Sequence, residues 1–300
     1  MSPSESASLK ALAWHALFSF PLTAEEVRLA APARLTLAEV VLGLESLRAA
    51  GRVGESHGLY FLAGRENDVN ERLARYDLAE RKCRRARRFA SVARLLPFVR
   101  GIFICNTLAR SGAKDSSDID LFVVAADRRV WTARLFTTGL AAAFGLRPTP
   151  GNATDGICLS FYVAESALDL RALALPNDEA LPRWIADFYP LYDEVDIAEK
   201  IFAQNAWIFA AVPNVLPPRS IPRRSLAPRL LPLKRLAEAA LGFLEPIARR
   251  FQLRILPPVL KSGGPNVVLN ADVIKLHSQD RREEQSRQYR ASLADLGLES

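Results

Sequence analysis

The first 64 residues contain short segments with apolar residues at helical spacing, and residues that typically begin a helix precede them. Thr23 with Glu26, and Thr36 with Glu39, have the spacing of capping boxes, and apolar residues at helical spacing follow each of them. A short alternating stretch over residues 52–62 then predicts a hairpin. Three helices followed by a hairpin are typical of a winged helix, so residues 1–64 are predicted to form a winged-helix-like domain. Its third helix has few basic residues, which favours packing or protein contact over DNA binding.

The rest of the chain changes from helical to strand-like periodicity and back again. A long helical pattern over residues 65–96 predicts a connecting helix, and residues 178–211 are also predicted to be helical. Between these two patterns, three apolar strands are predicted at residues 98–104, 119–124 and 157–163, with an amphipathic helix at residues 128–144. We therefore predict an α+β fold with a small mixed sheet in residues 97–212, followed by a mainly helical C-terminal region, residues 213–300.

Composition and charge narrow the class of protein. The three cysteines, Cys83, Cys105 and Cys158, are widely spaced, so neither a disulfide framework nor a zinc motif is expected, and a reducing cytoplasm fits best. No secretion signal and no run long enough to span a membrane is evident. The net charge of +7 is uneven, because an acidic middle section lies between basic flanks. The flanks, residues 81–94 and 216–300, are candidates for contact with nucleic acid or are solvated helix faces.

The motif Ser117-Asp118-Ile119-Asp120-Leu121 carries the candidate chemistry. Asp118 and Asp120 are two residues apart at the start of an apolar strand, so their side chains point to the same face. Two adjacent carboxylates repel each other unless a cation lies between them. Magnesium is held in proteins by a few carboxylates together with phosphate oxygens, and two such ions can activate a hydroxyl and stabilise a leaving pyrophosphate. Asn106 and Thr107 follow the preceding strand, where a turn into a helix can cradle phosphate.

An apolar strand, a small polar turn and then Ser-Asp-Ile-Asp-Leu-Phe-Val-Val resembles the nucleotidyltransferase superfamily of DNA polymerase beta. The resemblance is firm over residues 98–124 and looser elsewhere. It implies that Asp118 and Asp120 are catalytic metal ligands for Mg²⁺, with two ions expected, and that the substrate is an NTP. It also implies that Asn106 and Thr107 take the positions of the Gly-Ser pair that holds the triphosphate, and Ser117 joins them as a candidate nucleotide-binding residue.

The resemblance further implies a third carboxylate on a later strand, but the predicted strand 157–163 contains no acid. Asp155 and Glu165 flank that strand, and Ser160 lies at its centre. The expected function is transfer of a nucleoside monophosphate to an unidentified hydroxyl on a small molecule, a protein or RNA. The alternative is a catalytically impaired protein of the same fold that binds nucleotide or nucleic acid, or that regulates a complex.

Overall fold

The computed structural model describes residues 1–149, 151–217, 225–261, 267–276 and 280–298. Its helices are α1 (Pro3–Ala16), α2 (Ala24–Ala30), α3 (Leu37–Ala49), α4 (Asn67–Ala93), α5 (Asn106–Ala109), α6 (Val130–Ala143), α7 (Ala180–Ala186), α8 (Ile197–Gln204), α9 (Leu231–Leu241), α10 (Glu245–Ile255), α11 (Pro258–Lys261) and α12 (Arg282–Asp295). Its strands are β1 (Val53–Ser56), β2 (Leu59–Leu62), β3 (Val99–Ile104), β4 (Ile119–Ala125), β5 (Ile157–Ala164), β6 (Tyr189–Asp193), β7 (Val267–Leu269) and β8 (Val273–Leu276). The mixed α+β class is confirmed.

Helices α1 to α3 and the β1–β2 hairpin follow the order that the sequence predicts. Thr23 and Thr36 each accept a backbone hydrogen bond from the glutamate three residues later, and that glutamate accepts one in return from the threonine N–H. Both predicted capping boxes are therefore confirmed, and they fix where α2 and α3 begin. The assignment of this region as winged-helix-like stays a prediction.

Six strands form one mixed sheet in the order β6-β3-β4-β5-β8-β7. Strand β4 runs parallel to β5 and antiparallel to β3, and β8 runs antiparallel to β5. Side chains of β4 alternate between two apolar clusters: one includes buried residues of α4, α6 and α10, and the other includes residues of α7 and α8. Both faces of the sheet are therefore covered, and the start of β4 opens at one end of it.

Two expectations from the sequence are corrected. Residues 178–211 are not helical throughout, because β6 lies between α7 and α8 and pairs with β3. The C-terminal region is mainly helical among its described residues, but it also supplies β7 and β8 to the central sheet. Parts of the basic segment 216–300 lie outside the described ranges. Among the described residues, no helix is long and apolar enough to cross a membrane.

The first and last helices meet. Tyr289 of α12 packs edge-on against Trp14 of α1, with ring centroids 5.4 Å apart, and its hydroxyl donates to the carbonyl of Lys10 at 3.2 Å. Leu293 and Leu298 join the same buried cluster as the apolar residues of α1 to α3. The C-terminal helix is thus part of the core of the N-terminal helices.

Candidate functional site

Asp118 and Asp120 lie at the start of β4, on the side of the sheet that faces α7. Ile119 lies between the two aspartates and Leu121 follows them. Both are buried in the opposite apolar cluster, which holds the strand in one register. Asp120 is paired across the parallel ladder with Cys158 of β5. The thiol therefore lies beside the two carboxylates, on the neighbouring strand.

These three side chains form a compact group of potential metal ligands. One donor atom each from Asp118, Asp120 and Cys158 lies within 4.8 Å of the others. The carboxylate oxygens suit a hard cation such as Mg²⁺, whereas sulfur suits softer ions such as Zn²⁺ or Cd²⁺. The predicted aspartate pair is brought together, and Cys158 is a third member that the sequence did not single out for chemistry.

Asn106 is held against Asp120 by a short chain of hydrogen bonds. Its backbone is left-handed, with φ of 58°, a conformation that asparagine adopts more readily than most residues. The side-chain nitrogen donates to Asp120 Oδ2 at 2.6 Å, and Trp184 Nε1 donates to the side-chain oxygen at 2.8 Å. The asparagine therefore takes the backbone conformation of a glycine, but its amide occupies one carboxylate oxygen.

Burial governs the electrostatics of the group. It raises the pKa of Asp120, although the hydrogen bond from Asn106 acts in the opposite direction. Burial also raises the pKa of the Cys158 thiol well above its usual value, and the negative charge of Asp120 adds to this increase. Negative charge is therefore costly at this position, and a bound cation would offset that cost.

The ligand group opens into a cavity of about 600 Å³. Its walls are formed by residues of α1 and α12, by the α7 segment and by the start of the sheet. Its polar and charged lining residues are Asn106, Thr107, Arg110, Asp118, Asp120, Ser160, Arg183, Asp187, Lys275, Asp280, Arg281, Arg282 and Gln285, with Cys158 beside the aspartates. Trp14, Phe18, Phe161 and Trp184 supply the aromatic part of the lining.

Ser117 does not line this cavity. Its hydroxyl donates to the carbonyl of Lys114 at 2.8 Å, and its own carbonyl accepts a hydrogen bond from Lys82 Nζ at 2.7 Å. The fully buried Lys82 also binds Asp155 at 2.6 Å. Ser117 thus belongs to a loop that Lys82 fastens to α4, directly before the aspartate pair.

The two acids that flank β5 are engaged away from the cavity. Asp155 is paired with Lys82, and Glu165, at the other end of the strand, contacts Lys200 at 3.0 Å. Neither belongs to the cavity lining. Among the described residues, Asp187 and Asp280 are the carboxylates that line it besides the aspartate pair.

Asp187 and Asp280 each have a basic partner. Asp187, directly after α7, lies 3.1 Å from Arg110, and burial raises its pKa although Arg110 opposes the increase. Asp280 is paired with Lys275 of β8 and with Arg282, both at 2.7 Å. The sequence did not indicate that either aspartate lines the cavity, because the elements that bring them there are distant from β4 along the chain.

The cavity lining combines acidic and basic side chains. Arg110, Arg183, Lys275, Arg281 and Arg282 all contribute to its lining. Four of them form ion pairs with neighbouring acids, whereas Arg281 is exposed and forms none with the described part of the chain. Carboxylates and guanidinium groups in the same cavity suit a ligand that carries both a cation and phosphate oxygens.

The basic helix residues 81–94 are partly used inside the protein. Lys82 is buried, Arg81 pairs with Asp115 at 2.7 Å, and Arg94 donates to the carbonyl of Ala227. Arg84, Arg87 and Arg88 are exposed. Contact of this helix with nucleic acid stays a prediction, and these three arginines are available for it.

None of the protein-family models, curated proteins or solved structures compared with this chain matches it. The residues of the cavity are therefore the basis for a proposed function.

Proposed function

We propose that this protein transfers a nucleoside monophosphate from an NTP to a hydroxyl group, with divalent cations held by Asp118 and Asp120. The observation that carries the proposal is the aspartate pair in a cavity that basic side chains also line. The resemblance of the motif around Asp118 to polymerase-beta-type nucleotidyltransferases supports the same reaction class. The acceptor stays open among a small molecule, a protein and RNA.

The aspartates fit a hard divalent cation, since each offers a carboxylate oxygen to the same small volume. Such a cation neutralises charge on the phosphate oxygens and makes an attacking hydroxyl easier to deprotonate. Thr107 of α5 lines the cavity and has a hydroxyl to offer, and Arg281 offers a positive charge for the phosphates. Ser117 acts through the position of its loop, because its hydroxyl is already bonded to Lys114.

Asp187 is the side chain that we assign to the acceptor hydroxyl. It lines the same cavity, and its pKa is raised by burial, which makes the carboxylate a stronger base than an exposed aspartate. Arg110 fixes its position through the ion pair. This role stands in place of the third carboxylate that the predicted strand 157–163 lacks.

The experiment is magnesium-dependent release of pyrophosphate, or transfer of an α-labelled phosphate, tested with each of the four NTPs. The double variant Asp118→Asn with Asp120→Asn should lose at least a hundredfold in rate. Asp115→Asn is the matched control, because Asp115 is an exposed aspartate of the same segment outside the cavity. Transfer that survives the double variant would refute the assignment.

A second candidate is a non-catalytic nucleotide-binding or regulatory module. It is favoured by the contact of Asn106 with Asp120, which occupies an oxygen that a metal ligand would otherwise offer. Calorimetry distinguishes the two candidates. Binding of NTP with Mg²⁺ by the unmodified protein, without turnover on any acceptor, would support the module, and the Asp187→Asn variant would then bind NTP as before.

A further inference from the structure

The helices α9 and α10 present large apolar side chains to the solvent. Seven of these side chains are more than half exposed: Leu230, Leu233, Leu236, Phe243, Ile247, Phe251 and Ile255. They recur at intervals of three to seven residues from Leu230, directly before α9, to Ile255 at the end of α10, and the short 3-10 turn Gly242–Leu244 lies between the helices. We name these seven residues the apolar face. An apolar group of this size on a water-exposed helix pair indicates a contact surface.

The inner side of the same helices carries several polar groups beside the buried Ala248, whereas the inner side of an ordinary surface helix is mainly apolar. Lys234 of α9 is buried and contacts Glu194, and Glu238 binds Arg100 at 2.7 Å. In α10, Glu245 accepts hydrogen bonds from the start of α6, and the buried Gln252 donates to the carbonyl of Trp131 at 2.7 Å. Because these polar groups all have partners inside the protein, they fix the orientation that turns the apolar face outward.

The charges around the apolar face are all of one sign. Residues 229–261 contain two acids, Glu238 and Glu245, and both are engaged on the inner side. Five basic side chains remain on the outer side, and none of them forms an ion pair with the described residues: Arg229, Arg249, Arg250, Arg254 and Lys261. Four of these line a surface depression of about 620 Å³ together with Pro246 and Leu253.

On α10 the two kinds of side chain are neighbours. Arg250 follows Ile247 by three residues, and Arg254 follows Phe251 by three, so each arginine lies beside an apolar side chain on the helix surface. Apolar side chains next to a row of arginines match the boundary of a bilayer, where acyl chains lie beneath anionic headgroups. A second copy of this chain fits poorly, because it would bring two sets of these cations together.

We propose that α9 and α10 dock this protein on the surface of an anionic lipid bilayer. The apolar face inserts among the acyl chains at the interface, and the depression lined by Arg249, Arg250 and Arg254 receives the headgroup phosphates. Docking leaves the cavity accessible. Helix α9 contacts the start of β3 at Phe98 to Arg100, whereas Asn106 follows the other end of that strand, roughly 20 Å away.

The test is co-sedimentation of the full chain with vesicles of phosphatidylcholine alone and of phosphatidylcholine with one third phosphatidylglycerol. We expect at least tenfold tighter binding to the anionic vesicles and weaker binding as salt is raised. The variant Ile247→Asn with Phe251→Asn should lose at least tenfold in this binding. Both side chains are exposed, so its thermal unfolding should match that of the unmodified chain.

The matched control is Leu37→Asn with Leu42→Asn, which replaces two exposed leucines on α3 and should leave vesicle binding unchanged. The variant Arg250→Glu with Arg254→Glu should remove the preference for anionic vesicles. Three outcomes would overturn the proposal: no sedimentation with anionic vesicles, equal losses in the control, or self-association that Phe251→Asn abolishes without any vesicle binding. The nucleotide reaction takes no part in this assay, so its result is independent of the proposed function.

Discussion

We expect Cys158 to determine which cation the ligand group prefers, so a single substitution should change that preference. With sulfur present, the group should bind Cd²⁺ more tightly than Mg²⁺, because thiolates bind soft ions. The Cys158→Ser variant should lose at least tenfold in Cd²⁺ affinity and little in Mg²⁺ affinity. Cys158→Asp should increase Mg²⁺ affinity by adding a third carboxylate. Calorimetry with each ion measures the affinities of the unmodified chain and of both variants. An unchanged Cd²⁺ affinity in Cys158→Ser would exclude the sulfur as a ligand.

His15 should make the fold sensitive to mild acid. Burial lowers the pKa of this side chain to about 3, and the charge of Arg110 acts in the same direction. Below pH 6.5 the unfolded chain therefore takes up a proton that the folded chain does not, and stability falls as the pH falls. The loss from this group between pH 7.5 and pH 5 is about 2 kcal/mol, at about 1.4 kcal/mol per unit of pH below 6.5.

The variant His15→Asn isolates this effect, since an amide can replace the Nδ1 hydrogen bond to the carbonyl of Ala11, which is 2.9 Å long. Urea unfolding of both proteins at pH 7.5 and pH 5 gives the difference. The variant should lose about 2 kcal/mol less than the unmodified chain over this interval. Equal losses in the two proteins would show that His15 takes no part.

The candidate site was predictable where its residues are neighbours in the sequence. Asp118, Asp120, Asn106 and Thr107 lie in one short segment, and the structure brings all four to the same cavity. Cys158 was not predicted, because the resemblance implies a carboxylate on its strand and because its position depends on the parallel register with Asp120, which sequence spacing does not reveal. Ser117 belongs to the motif, yet its side chain turns to Lys114 instead.

At the level of elements, the N-terminal hairpin and the strands with long apolar runs were predicted, whereas the short strands β6, β7 and β8 were not. β3, β4 and β5 have six to eight residues and are buried in the sheet, so their pattern is visible in the sequence. β6 has five residues including Pro190, and β8 has four. Such short stretches contain too few alternations to be told from a helix or a loop, and their pairing with distant strands decides their structure.

The start of α6 depends on a residue from another helix. Glu245, the first residue of α10, accepts hydrogen bonds from the N–H groups of Trp131 and Thr132 at 3.0 and 2.9 Å. These N–H groups lie in the first turn, where no partner exists within the helix, and the negative charge also suits a helix start. Glu245→Ala should therefore cost about 1–2 kcal/mol.

Urea unfolding measures this cost, and Glu283→Ala is the control, because Glu283 is an exposed glutamate in the first turn of α12. We expect the control to change stability by less than about 0.5 kcal/mol. A loss in Glu245→Ala no larger than in the control would show that α6 starts without this cap.

Across the whole molecule, the cavity is assembled from segments that are far apart in the chain. Trp14 comes from α1, Asp118 and Asp120 from the start of β4, and Lys275 and Arg282 from the C-terminal segment. Arg183 lies over the rings of both Trp14 and Tyr289, at 4.8 and 5.1 Å, so the contact between α1 and α12 reaches the cavity wall. Segments from different sequence-based domain ranges therefore form one shared cavity wall.

This arrangement predicts that the N-terminal helices and the sheet unfold together. Tyr289→Ala removes a buried ring between α1 and α12 and should cost about 3–5 kcal/mol, whereas Tyr289→Phe keeps the ring and should cost about 1 kcal/mol or less. Far-ultraviolet circular dichroism and tryptophan fluorescence should give coincident unfolding curves for the unmodified chain. If the N-terminal helices instead unfolded independently of the sheet, Tyr289→Ala would weaken only the contacts of α1 with α12. The two unfolding curves of this variant would then separate, and the main transition of the sheet would stay in place.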